Sequence, residues 1–126
     1  MPRFALATAR RHALALPGAG ESFPFGPGVA VIKAGGRIFA LLRQRPGLTP
    51  ADPAVQEISL KCDPDRAIML RQVFESIRPG YHLNKRHWNT ITLDGSVPAR
   101  DVRSLIEHSW TLVTDATRQR PTRRRS

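Results

Sequence analysis

The clearest pattern in the chain is the alternation over Val55 to Cys62. Ile58, Leu60 and Cys62 fall on one side, and Glu57, Ser59 and Lys61 on the other. This is the period-two signature of a half-buried strand. Two more strands, Val29 to Lys33 and Arg37 to Arg43, flank Ala34-Gly35-Gly36. The glycine pair supplies the positive φ that a tight hairpin needs. Helical spacing replaces alternation in three places. Phe4, Ala5, Ala9, His12, Ala13 and Leu16 predict a first helix over 4–16, stopped by Pro17-Gly18. Asp63-Pro64-Asp65 opens a second, with a cap, a proline at the first helical position and a carboxylate that complements the dipole. Its stripe is Ala67, Leu70, Phe74 and Ile77, and Pro79-Gly80 ends it. The third, over 97–114, turns Val102, Leu105, Ile106, Ser109 and Val113 inward, with Ser96 as its candidate cap and Pro98 in its first turn. Between these lie a Pro- and Gly-rich loop over 17–28 around a short extended piece, Ser22 to Phe25, and a surface loop over 44–54. Residues 81–94 read as extended or turn-like, with Trp88 to Leu93 the best strand candidate.

Together these elements predict an α+β fold: a two-layer sandwich of a mainly antiparallel sheet with helices packed on one face. The other face is then open to solvent or to a partner. At 126 residues the chain fits one domain and needs no disulfide or metal staple. We expect residues 1–116 to be that domain and 117–126 to be a disordered Arg-rich tail. No run approaches the roughly 18 apolar residues of a membrane helix. Arg3, Arg10, Arg11 and His12 interrupt the apolar start, so no secretory signal is read there. The single Cys62 excludes an internal disulfide. The expected location is the cytoplasm, with no membrane partner.

Charge changes the picture. Twenty Lys and Arg against ten Asp and Glu give +10, and a protein this basic attracts polyanions. Five arginines with no acid lie in 118–126, so half of the excess belongs to the tail. That half argues affinity rather than specificity.

The segment Pro79-Gly80-Tyr81-His82-Leu83-Asn84-Lys85-Arg86-His87-Trp88-Asn89 is the densest in candidate chemistry. Phosphates want cations and N–H donors, and bases want flat partners and amide edges. Run as one strand, 82–92 puts His82, Asn84, Arg86, Trp88, Thr90 and Thr92 on one face, too polar for a core; a bend near Lys85-Arg86 breaks that register. In the plainer alternative, Trp88 and Tyr81 cap the core edge and Lys85 and Arg86 are solvated. Arg37, Arg43 and Arg45 flank the hairpin and either line a wing or sit as solvated strand ends. Catalysis by Cys62 with His82 or His87 has no local signature, and Cys62 falls on the apolar side of its strand. The spacing of His82 and His87 fits no common metal-ligand pattern. His12 and His108 lie on helices as packing or surface residues. No enzyme, cofactor or metal is therefore expected.

The chain closely resembles the MmcQ/YjbR family of small bacterial proteins. The matching pieces are Leu14-Ala15-Leu16-Pro17-Gly18, Glu21-Ser22-Phe23-Pro24-Phe25-Gly26, Lys33 with Gly35-Gly36, Phe39-Ala40-Leu41-Leu42 and Leu60-Lys61-Cys62-Asp63-Pro64. The longest is Pro79 to Thr90, followed by Leu93-Asp94-Gly95. The resemblance covers about residues 5–115. It implies a CyaY-like (frataxin-like) sandwich and a DNA-binding role through a double-wing arrangement of hairpins. Lys61, His82, Asn84, Lys85 and Trp88 carry the family motif by position. Frataxin-type iron binding does not carry over, because the first helix bears Arg10 and Arg11 rather than an acidic ridge. The expected function is non-enzymatic binding of double-stranded DNA through Lys61, His82, Asn84, Lys85, Arg86, Trp88 and Arg37. The alternative is a module that holds a small anionic ligand or a protein on the open sheet face.

Overall fold

The computed structural model describes residues 5–47, 49–52, 54–80 and 83–119, with side chains as far as Thr114. The elements run α1 (Leu6–Leu14), β1 (Gly20–Ser22), β2 (Val29–Ala34), β3 (Arg37–Arg45), β4 (Val55–Lys61), α2 (Pro64–Val73), β5 (Ile77–Pro79), β6 (Trp88–Thr92) and α3 (Ala99–Gln119). The strands form one antiparallel six-stranded sheet in the order β1-β2-β3-β4-β6-β5. Helices cover one face, which makes the α+β sandwich that the pattern predicts.

Register sorts the side chains. Ala30, Leu42, Ile58, Ile91 and Ile77 line up across five strands on the helix side. Val31, Leu41, Ser59, Thr90 and Arg78 form the matching row on the other. The β2–β3 turn is Gly35-Gly36, with φ of 61° and 79°, the left-handed values a two-residue hairpin demands. A bulge between Ile32 and Lys33 lets the consecutive residues Phe39 and Ala40 both reach the core.

The inner face of α3 is as expected: Val102, Leu105, Ile106, Ser109 and Val113 are all buried. Each apolar member contributes about 1.5–3 kcal/mol of burial, and Ala9 and Ala13 of α1 join the same cluster. Ser109 is the polar member. Its hydroxyl donates to the Phe39 carbonyl (2.6 Å) and accepts from the Lys61 N–H (2.9 Å). It satisfies two backbone groups just beyond the last β3–β4 pair, Ala40 with Leu60.

Several boundaries differ from the pattern. The second helix ends at Val73 rather than running to Pro79, because Phe74 is extended (φ −118°, ψ 117°). Ile77 still reaches the core, but from β5, opposite Ile91. An apolar stripe at helical spacing is thus met by a helix followed by a strand. The extended piece before β2 falls at Gly20–Ser22, and α1 is shorter at both ends. Ser96 does not cap α3; it bonds Asp94 and Ser76, and the helix begins three residues later. The helix also runs to Gln119, past the end expected at 114, since no Gly or Pro interrupts it. Residues 120–126 of the expected tail lie outside the described residues. No described helix is long and apolar enough to cross a membrane.

Candidate nucleic-acid interface

Of the two courses open to this segment, the described residues take the bent one: a turn, then the strand that starts at Trp88 as expected. Residues 83–87 form the turn, and only Trp88, Thr90 and Thr92 share a strand face. His82, like Tyr81, lies outside the described residues. The turn is built locally. The Asn84 side chain accepts from the Arg86 N–H (2.9 Å), and its carbonyl accepts from the His87 N–H (3.2 Å). This is the backbone-mimicking use of an Asn side chain. Asn84, Lys85, Arg86 and His87 are all exposed as a result.

Behind the turn stands Arg71 of α2. It donates to the Asn89 side chain (2.6 Å), to the Lys85 carbonyl and to the Trp88 carbonyl (3.3 Å). Asn89 is buried and donates in turn to the Ala67 carbonyl (3.3 Å). Gly80 closes the other side, donating to the Trp88 carbonyl at 2.8 Å. A Cβ on Gly80 would stand 2.7 Å from the Trp88 Cβ, so only glycine permits this approach. Gly80 belongs to the motif segment itself, though nothing in the sequence shows this close approach, and Arg71 is not marked in the sequence at all.

Trp88 is buried, with 8% of its surface exposed. Its ring is therefore closed to full stacking by a base. Lys61, its partner across β4 and β6, lies over that ring at 5.9 Å from the centroid, a cation–π contact that holds the lysine in place. Burial pushes the Lys61 pKa below its ordinary value, and the nearby Arg37 cation adds to the effect. Arg37, the first residue of β3, is exposed. Lys61, Asn84, His87 and Trp88 line one cleft of about 480 Å3, with Cys62, Asp63, Pro64 and Leu112. Asp63 caps α2 at the Arg66 N–H (3.3 Å), as the sequence predicts. Burial raises the Cys62 thiol above its ordinary pKa. Among the described residues, no three His, Cys, Asp or Glu side chains gather in a way that could hold a metal.

A second charged cluster lies on the helix-free face. Glu57 is 2% exposed and accepts from Arg43 (2.7 Å), Arg45 (3.0 Å) and Arg78 (2.8 Å). Burial alone would raise its pKa, but the hydrogen bonds from Arg45, Arg43 and Arg78 outweigh that and hold it at about 2. Arg78 also donates to Thr92 (3.1 Å). Sequence reasoning missed this cluster. Arg43 and Arg45 sit two residues apart on one strand, which marks a shared face, but only the β4–β6–β5 register brings Arg78 to them. Beside the cluster is a cleft of about 120 Å3 lined by Phe25, Val29, Leu41, Arg43, Glu57, Ser59 and Leu83.

An open antiparallel sheet backed by three helices, with a cationic turn at one end, defines the class of small domain that the motifs suggest. The YjbR family model matches residues 14–112, and the chain belongs to that family. The uncharacterized protein YbdF of Escherichia coli O157:H7 is 39% identical over 117 residues, which cover 93% of this chain and 90% of YbdF. Protein YjbR of Escherichia coli K12 is 36% identical over 100 residues, 79% of each chain. Among solved structures, a Deinococcus radiodurans protein of domain family DUF419 superposes with a TM-score of 0.74 at 42% identity, covering 87% of this chain and 78% of that one. A Pseudomonas syringae protein gives 0.70 at 32% identity, covering 82% and 93%.

Proposed function

We propose that this protein binds double-stranded DNA without catalysing a reaction, through the sheet end where Arg37, Lys61 and the 84–87 turn meet. One observation carries this reading. Among the described residues no carboxylate pairs with Arg37, Lys61, Lys85 or Arg86, whereas Arg10 pairs with Glu21 and Arg43, Arg45 and Arg78 share Glu57. Cations kept adjacent at an exposed edge suit a polyanion whose phosphates repeat along a line. In this reading Arg37, Lys61, Lys85 and Arg86 hold the phosphate backbone. Asn84 approaches base edges, and Trp88 serves as the platform that fixes Lys61. His82 belongs to the same segment by sequence. The volume of the cleft also suits a small anionic ligand at Lys61, since such sites start at roughly 300 Å3.

The test is fluorescence anisotropy of a labelled duplex across a salt series, with the full-length chain. Lys85→Ala with Arg86→Ala should weaken binding and reduce the log–log salt slope by about 1.8, at about 0.9 per phosphate contact. Arg123, Arg124 and Arg125 to Gln should weaken binding without abolishing it. Abolition by the tail change, with no effect of the turn change, would refute the reading. Inorganic phosphate displacing the duplex at low millimolar concentration and constant ionic strength would favour the small-ligand alternative.

A further inference from the structure

We infer that Phe25 is the stacking platform for one unpaired nucleobase, so that the DNA this protein prefers carries an unpaired nucleotide within or beside its duplex. This substrate class rests on the DNA-binding reading of the cationic turn. Presentation is the first reason. Phe25 is 70% exposed, and the loop that carries it is built to hold it out. The Gly26 N–H donates to the Phe23 carbonyl (3.1 Å), and the Val29 N–H donates to the Gly26 carbonyl (3.4 Å). These are two successive tight turns. Pro24 and Pro27 each stand second in theirs, the place where the fixed φ of proline is already correct. Phe25 stands third in the first turn. Its backbone is therefore ordered before anything binds, which lowers the cost of taking up a partner.

Position is the second. Phe25 lines the cleft of about 120 Å3 together with Leu83 and Ser59. An apolar cavity of roughly 150 Å3 holds a benzene ring, so this cleft takes one ring and leaves part of it outside. Leu83 adjoins Asn84 of the cationic turn, and Ser59 precedes Lys61 by two residues on the same face of β4, about 7 Å along the strand. A nucleotide whose phosphate rests on Lys61, Lys85 or Arg86 can thus set its base against Phe25. Trp88, the aromatic that the sequence suggested for stacking, is 8% exposed and lies under Lys61. Chemistry is the third reason. A base inside a duplex has both faces stacked on its neighbours and enters a one-ring cleft only by leaving the stack, so the base taken is an unpaired one. Val29, Leu41 and Leu83 offer apolar walls to its ring. The Ser59 hydroxyl, which shares a hydrogen bond with Thr90 (2.8 Å), keeps capacity for a base edge. Arg43 and Glu57 also line the cleft but bind each other (2.7 Å), so the ring and the aliphatic walls hold the base instead.

The probes are three fluorescein-labelled DNAs, measured by anisotropy with the full-length chain: a paired duplex, the same duplex with one bulged thymine, and the same duplex with an abasic bulge at that position. The two bulged DNAs share every phosphate and differ only in the base, and the paired duplex reports the cationic turn alone. The thymine bulge should bind about tenfold more tightly than the abasic bulge. Phe25→Ala and Phe25→Leu should each bring that ratio close to one, since leucine keeps the apolar bulk but not the flat face, and Phe25→Trp should keep it. Phe25 is exposed, so these variants should melt at the wild-type temperature. Lys85→Ala with Arg86→Ala should weaken both bulged DNAs by the same factor, because it removes phosphate contacts and not the base contact. Equal wild-type affinity for the two bulges, or a preference that survives Phe25→Ala, overturns the base site and leaves duplex binding standing. A preference that survives Phe25→Leu overturns stacking as its source. Binding of none of the three DNAs refutes the DNA-binding reading and the base site together.

Discussion

Replacing Glu57 with Gln removes the charge at the centre of the arginine cluster and keeps the shape. The folded pKa of about 2 against an ordinary 4.5 corresponds to about 3 kcal/mol. That is a ceiling. The three guanidiniums are 30–43% exposed, and solvent screening reduces the charge-dependent part to about 1–2 kcal/mol. The sign follows from linkage. The unfolded carboxyl takes up its proton near pH 4.5 and the folded one only near 2, so the stabilisation is complete above about pH 4.5 and disappears as pH falls towards 2. Urea unfolding of wild type and Glu57→Gln at pH 7, 4, 3 and 2.5 measures this. The wild type should be the more stable at pH 7, with the gap closing below pH 4. Other carboxylates titrate in both proteins and cancel in the difference. A gap that is the same at pH 7 and pH 2.5 would refute the reasoning, because any cost would then come from the amide's fit and not from charge.

Other perturbations probe the scaffold. Ser109→Ala leaves the Phe39 carbonyl and the Lys61 N–H without their shared hydroxyl; chemical denaturation should show a loss of about 1–3 kcal/mol. Gly80→Ala sets a methyl group 2.7 Å from the Trp88 Cβ. It should cost about 1–3 kcal/mol and lower the melting temperature, whereas an unshifted melting curve would contradict the close packing. Arg71→Gln cuts the ties to Asn89, Lys85 and Trp88. Amide hydrogen exchange over 84–88 should speed up and duplex affinity should fall, with the salt slope unchanged because Arg71 itself touches no phosphate.

The helix faces and central strands were legible because their apolar residues sit at the period of the element. The α3 face and the alternation of β4 follow from spacing alone. What was not legible depends on register between distant segments. Glu57 falls on the polar side of its strand and reads as solvated; it is buried because Arg43, Arg45 and Arg78 arrive from neighbouring strands. The stripe Ala67, Leu70, Phe74, Ile77 gave no sign of where the helix stops, since an edge strand buries Ile77 equally well. For the candidate site, the motif located the residues but overstated Trp88 as a reading surface, because burial depends on Gly80 and Lys61 packing against it. The Asn84 turn was covered only by the allowance for a bend near Lys85-Arg86.

The two outermost strands, β1 and β5, are three residues each, whereas β3 and β4 are nine and seven and lie inside the sheet. Pro79, which has no N–H, ends β5. A stray chain seeking to add itself to this sheet therefore finds only a few unpaired backbone groups at either margin, too few to template further growth. The long, valine- and leucine-bearing strands that would be most prone to fibre formation are kept where no foreign strand can reach them. Wherever many copies of such a domain are held close together, the brevity of its borders keeps crowding from becoming polymerisation.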